Sequence, residues 1–338
     1  MRNNLITTCT ATLLCFSIVS MAPPEDLLID CGIVVGDTVK PIGDDSFTIV
    51  LLPDTQHYVE EGKYSKNLEC FESQIQWIIE NKMKLNIVFV SYVGDIVQHH
   101  DIEDEFLRAS NVMRKLDGVV PYGFCAGNHD MQLDGTADLF NEYFPVSRYV
   151  KYDWWADSFN GNKNNCQLFS TGVDDYLALH LEFCPTDADI EWANEMLARY
   201  ADRRAFITTH MYITDEEEAG ITTRNSRLST NHPGIHREGS NAGIDILKKV
   251  VIPNRNVFMV LCGHYYAERL VVSNLDGRKV YGMLSDYNLE PRGGNGWFRV
   301  LQFVPSENKI YVETYSPYLK QFKTGTDSDF TLDYPMTK

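Results

Sequence analysis

Carboxylate, amide and imidazole side chains recur in this chain where apolar runs end. They are Asp54-Thr55-Gln56-His57, Gly94-Asp95, Gly127-Asn128-His129-Asp130 and Gly263-His264, with Thr208-Thr209-His210 closing a further run. Each is weak alone, because Asp and Asn after a strand commonly make turns. Together, in this order, they supply the donors of a two-metal site for phosphoester hydrolysis. In-line attack by water on a phosphate ester builds charge on the attacking and leaving oxygens. Two metal ions about 3.5–4 Å apart stabilise both and make hydroxide available near neutral pH. A carboxylate can bridge two ions, and Asp95 after its Gly turn is placed for that. Imidazole and amide oxygen complete a mixed N/O shell suited to Mn, Fe or Zn.

The elements that must position these groups follow from periodicity. The apolar runs 47–52, 87–93 and 119–126 predict buried strands, and the stretches 67–84 and 103–116 carry helical spacing between them. Strand, helix, strand, helix, strand is a parallel α/β pattern, and ligands of such sheets gather beyond the carboxyl ends of the strands. A helix over 134–143, an aromatic loop at Tyr152-Asp153-Trp154-Trp155 and strands at 167–170 and 176–183 come next. A helix over 187–200, capped by Thr186 or Asp187, leads to a strand at 205–209 that ends at His210. Residues 211–241 read as a long polar loop holding Glu216 to Glu218, His232 and His236; a helix over 242–251 and a strand over 257–262 bring the chain to Gly263-His264. Two hairpins close the pattern, 270–284 around Asn274 to Gly277 and 297–315 around Pro305 to Asn308.

Composition narrows the partners. The 338 residues are 44% hydrophobic, enough for a large core, and the formal net charge is -17. An acidic surface argues against a stable nucleic-acid partner or an anionic membrane, while a bound metal can still invert the local field for an anionic substrate. Residues 1–22 read as a signal peptide, with Arg2 before an apolar, small-residue stretch and Ser20-Met21-Ala22 as a cleavage site, which predicts a secreted or lumenal/periplasmic protein without a membrane span after signal removal. Residues 23–46 form an extension, and 47–338 the main domain. In an oxidising compartment Cys166 and Cys184, flanking a hairpin, are the best disulfide pair; Cys125 and Cys262 equally suit a buried core.

The motifs resemble those of the calcineurin-like metallophosphoesterases, which share the order Asp-x-His, Gly-Asp, Gly-Asn-His-Asp/Glu, a lone His, and Gly-His-x-His. The resemblance covers about residues 47–338 and is nearest to a secreted branch that begins Pro-Asp-Thr-Gln, here Pro53 to Gln56, and that also shares Gly293-Gly294-Asn295-Gly296-Trp297 and Thr314-Tyr315-Ser316-Pro317. It implies an α/β fold, a four-layer α/β/β/α sandwich of two mixed sheets with the metal site at the C-terminal strand ends. It implies two divalent or mixed-valence transition metal ions (Mn, Fe or Zn). One would be held by Asp95, Asn128, His210 and His264. The other would be held by Asp54 and Asp95, with Gln56 where the family has its first His and Tyr266 where it has its last. Gln56 can ligate through its amide oxygen, and Tyr266 as a phenolate to a ferric ion. His57 would point away along a strand. His129 would donate a proton or hydrogen bond to the leaving oxygen, oriented by Asp130.

The expected activity is hydrolysis of a small phosphomonoester or diester by metal-bound hydroxide attacking phosphorus in line. Two alternatives stand beside it: a degenerate one-metal, non-catalytic ligand-binding module of the same fold, and a metal-dependent hydrolase of another ester class. Other polar groups have two readings each. His99 and His100 either line the pocket or sit on a solvated turn, His180 reads as a core histidine, Trp154-Trp155 as a ligand platform or a packed excursion, and Arg292 as a phosphate binder or an exposed turn residue. No Walker loop and no Gly-x-Ser-x-Gly elbow occurs.

Overall fold

The computed structural model describes residues 33–36, 39, 43, 45–60, 67–214, 228–230 and 237–336. In chain order its elements are β1 (Ile33–Val35), β2 (Phe47–Leu52), α1 (Gln56–Val59), α2 (Leu68–Asn81), β3 (Ile87–Tyr92), α3 (Glu103–Met113), β4 (Tyr122–Phe124) and α4 (Asp138–Tyr143). There follow β5 (Trp155–Phe159), β6 (Asn164–Ser170), β7 (Asp175–Leu181), α5 (Asp187–Arg199), β8 (Arg204–Thr209), α6 (Gly243–Ile246) and β9 (Val257–Cys262). The last are β10 (Glu268–Leu275), β11 (Arg278–Ser285), β12 (Phe298–Val304), β13 (Lys309–Ser316), β14 (Gln321–Lys323) and β15 (Phe330–Asp333).

Two mixed sheets stack face to face. The first runs β1-β14-β13-β12-β2-β3-β4, with β15 on β13; the second runs β10-β11-β9-β8-β7-β6-β5. Strands β2, β3 and β4 are parallel, as are β7, β8, β9 and β11. The side-chain period of two sorts each strand between layers. Phe47, Ile49 and Leu51 of β2 join Phe206, Phe258 and Met259 of the second sheet in the cluster between the sheets. Val50 and Leu52 point the other way, toward Phe71, Ile75 and Ile78 of α2. The second sheet repeats this, with Ala205 and Ile207 facing Ile190, Ala193, Met196 and Leu197 of α5. Three apolar layers between four layers of structure give the expected α/β/β/α sandwich. Strands covered on both faces explain why the central runs are apolar without alternation.

The expected boundaries hold at β2 and β9, and several elsewhere shift for local reasons. The strand expected over 119–126 pairs only over Tyr122–Phe124. Thr186 caps α5 by accepting from Asp189 N–H while the Asp189 carboxylate accepts Thr186 N–H at 2.7 Å. The first predicted hairpin turns within Asp276-Gly277, whose φ of +45° and +81° fit a two-residue turn, so its strands extend through Leu275 and from Arg278. Cys166 and Cys184 are not paired. Cys166 lies in the cluster under α5 and Cys184 in the one under α2, and both are free and buried, with burial pushing each thiol up to about 12. Cys125 and Cys262 are buried free thiols as well. Residues 1–32, Glu216 to Glu218, His232 and His236 lie outside the described residues. Among the described residues no helix is long and apolar enough to cross a membrane.

Candidate metal centre

The polar runs sit just past the C-terminal ends of parallel strands. Asp54 follows β2, Asp95 follows β3 and Asn128 follows β4 on one sheet, while His210 follows β8 and His264 follows β9 on the other. Because the sheets face each other, the two sets of strand ends meet. Two of the candidate residues take left-handed backbone, Asp95 at φ +47° and His264 at φ +73°, a conformation that costs a non-glycine residue about 1–3 kcal/mol unless its surroundings impose it. Here they do. The carboxylate of Asp95 accepts the amide of His129 at 2.9 Å, and that of Asp54 accepts the amide of His264 at 3.1 Å. Gly127 and Gly263 make room for them: a Cβ at either would come within 2.1 Å of Asp95 Oδ1 or 2.0 Å of Asp54 Oδ1.

Four donors converge in the first part of the centre. Asn128 Oδ1 lies 3.0 Å from His210 Nε2 and 2.8 Å from His264 Nδ1, and these two ring nitrogens are 3.3 Å apart. Asp95 Oδ2 is 3.2 Å from His210 Nε2. His210 Nδ1 is 2.9 Å from the carbonyl of Val93, which turns Nε2 toward this cluster; burial would lower the pKa of the ring, but Asp95 outweighs it and raises it, so Nε2 carries a proton that a binding ion would displace. Burial, then the neighbouring charge of His210, pushes His264 down to about 3, so it is neutral. Burial alone would raise Asp95, but His210 and then His129 outweigh it and hold the carboxyl down to about 2. A neutral imidazole and an ionised carboxylate are what a transition-metal ion requires of its ligands, and this N/O set fits one.

A second group lies beside it. Asp54, Gln56 and Asp286 are 1%, 4% and 1% exposed. Among the described residues Asp54 Oδ1, Gln56 Oε1 and Asp286 Oδ2 each lack a hydrogen-bond partner. Gln56 Nε2 donates to Gln98 Oε1 at 3.1 Å, which fixes the amide with its oxygen free. Burial first, then the charges of Asp286 and Asp95, pushes the Asp54 carboxyl well above its ordinary value. Burial raises Asp286 to about 7, with Asp95 adding to the rise. Buried carboxylates that raise one another, with oxygens left unpaired, are an arrangement that a bound cation relieves.

Residues 33–268 match the profile of the calcineurin-like phosphoesterases. The chain belongs to this family. Over 307 residues it is 34% identical to the uncharacterized protein YvnB of Bacillus subtilis (strain 168), an alignment that takes in 88% of this chain and 22% of that protein, so the chain spans about a fifth of this relative's length. Two solved structures share the fold. A dimetal phosphatase from Danio rerio superposes with a TM-score of 0.54 at 13% identity, covering 85% of this chain and 99% of its own. The purple acid phosphatase PPD1 from yellow lupin (Lupinus luteus) seeds does so with 0.52 at 12% identity, covering 87% and 55%.

Within this calcineurin-like fold the remaining candidates separate. His129 is half-buried and its Nδ1 lies 2.8 Å from the carbonyl of Gln98. That carbonyl, and not Asp130, orients the ring. Asp130 instead accepts three backbone amides, those of Ile96 at 2.8 Å, Val97 at 3.0 Å and Gly127 at 2.7 Å, and so fastens the loop after β3 to the loop after β4. Gln56 and His57 lie in the helical turn α1, so strand alternation does not decide where His57 points; its Nδ1 is 2.6 Å from Glu60. Tyr266 is 42% exposed, which removes it from the buried group.

Further from the centre, the exposed His99 bonds the buried carboxylate of Glu105 at 2.9 Å. His180 is a neutral core histidine, 3.0 Å from Ser91 Oγ and pushed by burial down to about 3. Trp154 stacks on Tyr152 and Trp155 on Tyr149, a packed excursion beside edge strand β5. Arg292 is exposed, over the Tyr318 ring at 5.2 Å. Sequence reasoning passed over Gln98 and Asp286. The signal for Asp286 was present, since like Asp54 it is an acid directly after an apolar strand.

Proposed function

We propose that this chain is a metal-dependent hydrolase of small phosphomonoesters or phosphodiesters. The convergence of Asp95, Asn128, His210 and His264 on one point carries the reading, with the unpaired oxygens of Asp54 and Gln56 beside it. Bound there, two ions would supply a lowered pKa for the attacking water and electrostatic stabilisation of the attacking and leaving oxygens.

The chain's own residues do the rest. Asp95 lies 3.2 Å from His210 on one side, its carbonyl accepts the amide of Thr55 next to Asp54 on the other, and its carboxyl is held down to about 2, so it is suited to serve both groups. Asn128 and the two imidazoles add no charge of their own, which leaves a net positive field for an anionic ester in a chain whose formal charge is -17. His129, anchored through Nδ1, presents its other nitrogen to the leaving oxygen and, when protonated, passes it a proton as the P–O bond breaks. The net charge speaks against a stable nucleic-acid partner. The apolar, small-residue stretch near residue 10 supports work outside the cytosol.

The competing reading is a one-metal module that binds without turnover, and it draws on Gln56 and Tyr266 in place of the family histidines. The deciding experiment strips the protein, reloads it with Mn, Fe or Zn, and measures bound metal together with hydrolysis of an aryl phosphate monoester and diester. Close to two equivalents and metal-dependent turnover are expected. One equivalent or fewer, with no turnover under any of the three metals, rejects the enzyme in favour of the binding module.

A further inference from the structure

At the end of the sandwich opposite the metal centre, strands β8, β9 and β11 begin at Arg204, Val257 and Arg278, and a cavity of about 630 Å³ opens among their first residues. Its floor is where the core between the sheets runs out. Phe258, Tyr281 and Tyr334 belong to that core and line the cavity, Phe258 stacked on Tyr334 with ring centroids 4.3 Å apart. A hollow of this size, with an apolar floor and a few polar groups at its wall, suits a small organic ligand. The polar groups here are mostly cations. Asp and Glu outnumber Lys and Arg in the chain by 47 to 30, yet Arg203, Arg204, Arg255, Arg278 and Lys279 all line this one cavity. Two of them face acids: Arg204 Nε bonds Asp174 at 2.7 Å, and Arg203 lies 3.9 Å from Asp175. The other three do not. Arg278 is fixed by main-chain carbonyls, those of Val257 at 2.6 Å and Val251 at 2.7 Å, which hold the guanidinium without neutralising it. Arg255 and Lys279 are exposed and form no ion pair among the described residues. Burial, then the charge of Arg255, lowers the pKa of Arg278, and Asp276 in the adjoining turn offsets less than Arg255 adds. Of the lining acids, Asp174 is engaged by Arg204 and Asp333 by Lys309 at 3.2 Å, which leaves Asp202. Three unneutralised cations against one acid make the cavity positive in an acidic chain, and an anion seated there would offset their repulsion.

We propose that this cavity binds a small organic anion, its flat apolar body against Phe258, Tyr281 and Tyr334 and its phosphate or carboxylate group on Arg255, Arg278 and Lys279. The site is separate from the metal centre, because the strands that begin at the cavity end at His210 and His264. It therefore stands whether or not the chain hydrolyses a phosphoester. A planar head group suits the guanidinium forks, and the held position of Arg278 means that little side-chain freedom is lost on binding.

The test is calorimetric titration of the full chain with 1-naphthylphosphonate, which cannot be hydrolysed at its P–C bond, with 1-naphthoate, and with the uncharged 1-naphthol. The proteins are the wild type, Arg255→Glu, Lys279→Glu and, as a control for charge alone, Arg114→Glu, an exposed cation just after α3. At least one of the two anions is expected to bind, and the tighter one names the head group. Arg255→Glu and Lys279→Glu are each expected to weaken that anion at least ten-fold, while Arg114→Glu leaves it unchanged. Binding of 1-naphthol is expected to be weaker than that of the anion and indifferent to all three replacements. Anion affinity that is the same in Arg255→Glu and Lys279→Glu as in the wild type, or absence of binding by both anions, overturns the proposal. So does an equal loss in Arg114→Glu, which would make the effect one of net charge. A wild type that sediments as a dimer, and as a monomer in Arg255→Glu, would give the cavity to a second acidic copy of this chain and also overturn it. Should the variants fail to fold, wild-type crystals soaked in 1-naphthylphosphonate decide: the ring over Tyr281 and Tyr334 supports the assignment, and the ring at the metal centre alone removes it.

Discussion

Replacing Asp130 separates a structural role from a catalytic one. Its carboxylate is 1% exposed and holds the amides of Ile96, Val97 and Gly127. A buried donor left without its acceptor costs about 1–3 kcal/mol. Asp130→Ala orphans three such donors and opens a small void, so a loss of about 3–6 kcal/mol is expected once partial relaxation is allowed. Asp130→Asn is milder. Its carbonyl still serves Ile96 and Val97, which share Oδ1, but its NH2 opposes the amide of Gly127, and about 1–3 kcal/mol follows. Against a typical stability of about 5–15 kcal/mol, both losses are measurable as a lowered urea midpoint at unchanged slope. Metal content should fall with stability, because the clamped loops carry Gln98 on one side and Asn128 on the other. The reasoning is refuted if Asp130→Asn keeps the wild-type midpoint and metal content while turnover drops and the pH–rate profile shifts. That result would put Asp130 back in proton transfer through His129.

Two further outcomes follow from the geometry. His129→Ala should lower turnover by about 10²–10⁴-fold on alkyl phosphates and much less on nitrophenyl esters, whose leaving groups need no proton, with metal content unchanged; a parallel loss of metal would make His129 a ligand. Glu268 of β10 and Arg299 of β12 form a buried ion pair at 3.3 Å that ties the two sheets together. Burial would raise the Glu268 carboxyl, but Arg299, then Ser328 and Thr314, outweigh it and hold it below its ordinary value of 4.5. A depressed carboxyl contributes stability that is full above 4.5 and lost as the pH falls through the folded value. Glu268→Gln should therefore be less stable at neutral pH by about 1–3 kcal/mol, since it removes the charge facing Arg299 while the amide oxygen and the bonds of Arg299 to Ser285 Oγ and to the carbonyls of Asp327 and Leu284 remain. Its stability should also fall less between pH 4.5 and lower values than that of the wild type, as followed by thermal unfolding across that range. An unchanged acid slope would mean that Glu268 is not the group titrating there.

The strands that hold the centre were legible because both their faces are covered. A run such as Val257 to Cys262 has no surface to present to water, so its apolar character is continuous and its ends are abrupt. The polar residue that follows such a strand is then conspicuous, and Asp54, Asp95, Asn128, His210 and His264 were found that way. Short or exposed strands left no such trace. Every residue of β5 is half-buried, and β14 pairs over three residues only. The proposed Cys166–Cys184 pair failed for a related reason. Local spacing placed both near one hairpin, but alternation sends Cys166 to the outer face of its sheet, while the chain after β7 carries Cys184 across to the other sheet's helical layer.

Asp286 escaped notice through topology and not through chemistry. The hairpin of β10 and β11 is visible from its turn residues, and a hairpin following β9 can join the sheet in two ways. If β10 paired with β9, β11 would lie two strands out, about 9–10 Å from β9, and an acid at its end would be remote from His264. In the order found here β11 inserts between β10 and β9, one strand spacing of about 4.8 Å away and parallel to β9. The turn residues do not distinguish the two, but burial does: β11 is buried from Val280 to Ser285, as an inner strand is, while β10 is mostly half-buried, as an edge strand is. A parallel neighbour to β9 places one more strand terminus at the end of the sheet where His210 and His264 lie, and with it the buried carboxylate of Asp286. The same insertion brings Glu268 of β10 toward Arg299 of the facing sheet, so one topological step also joins the sheets.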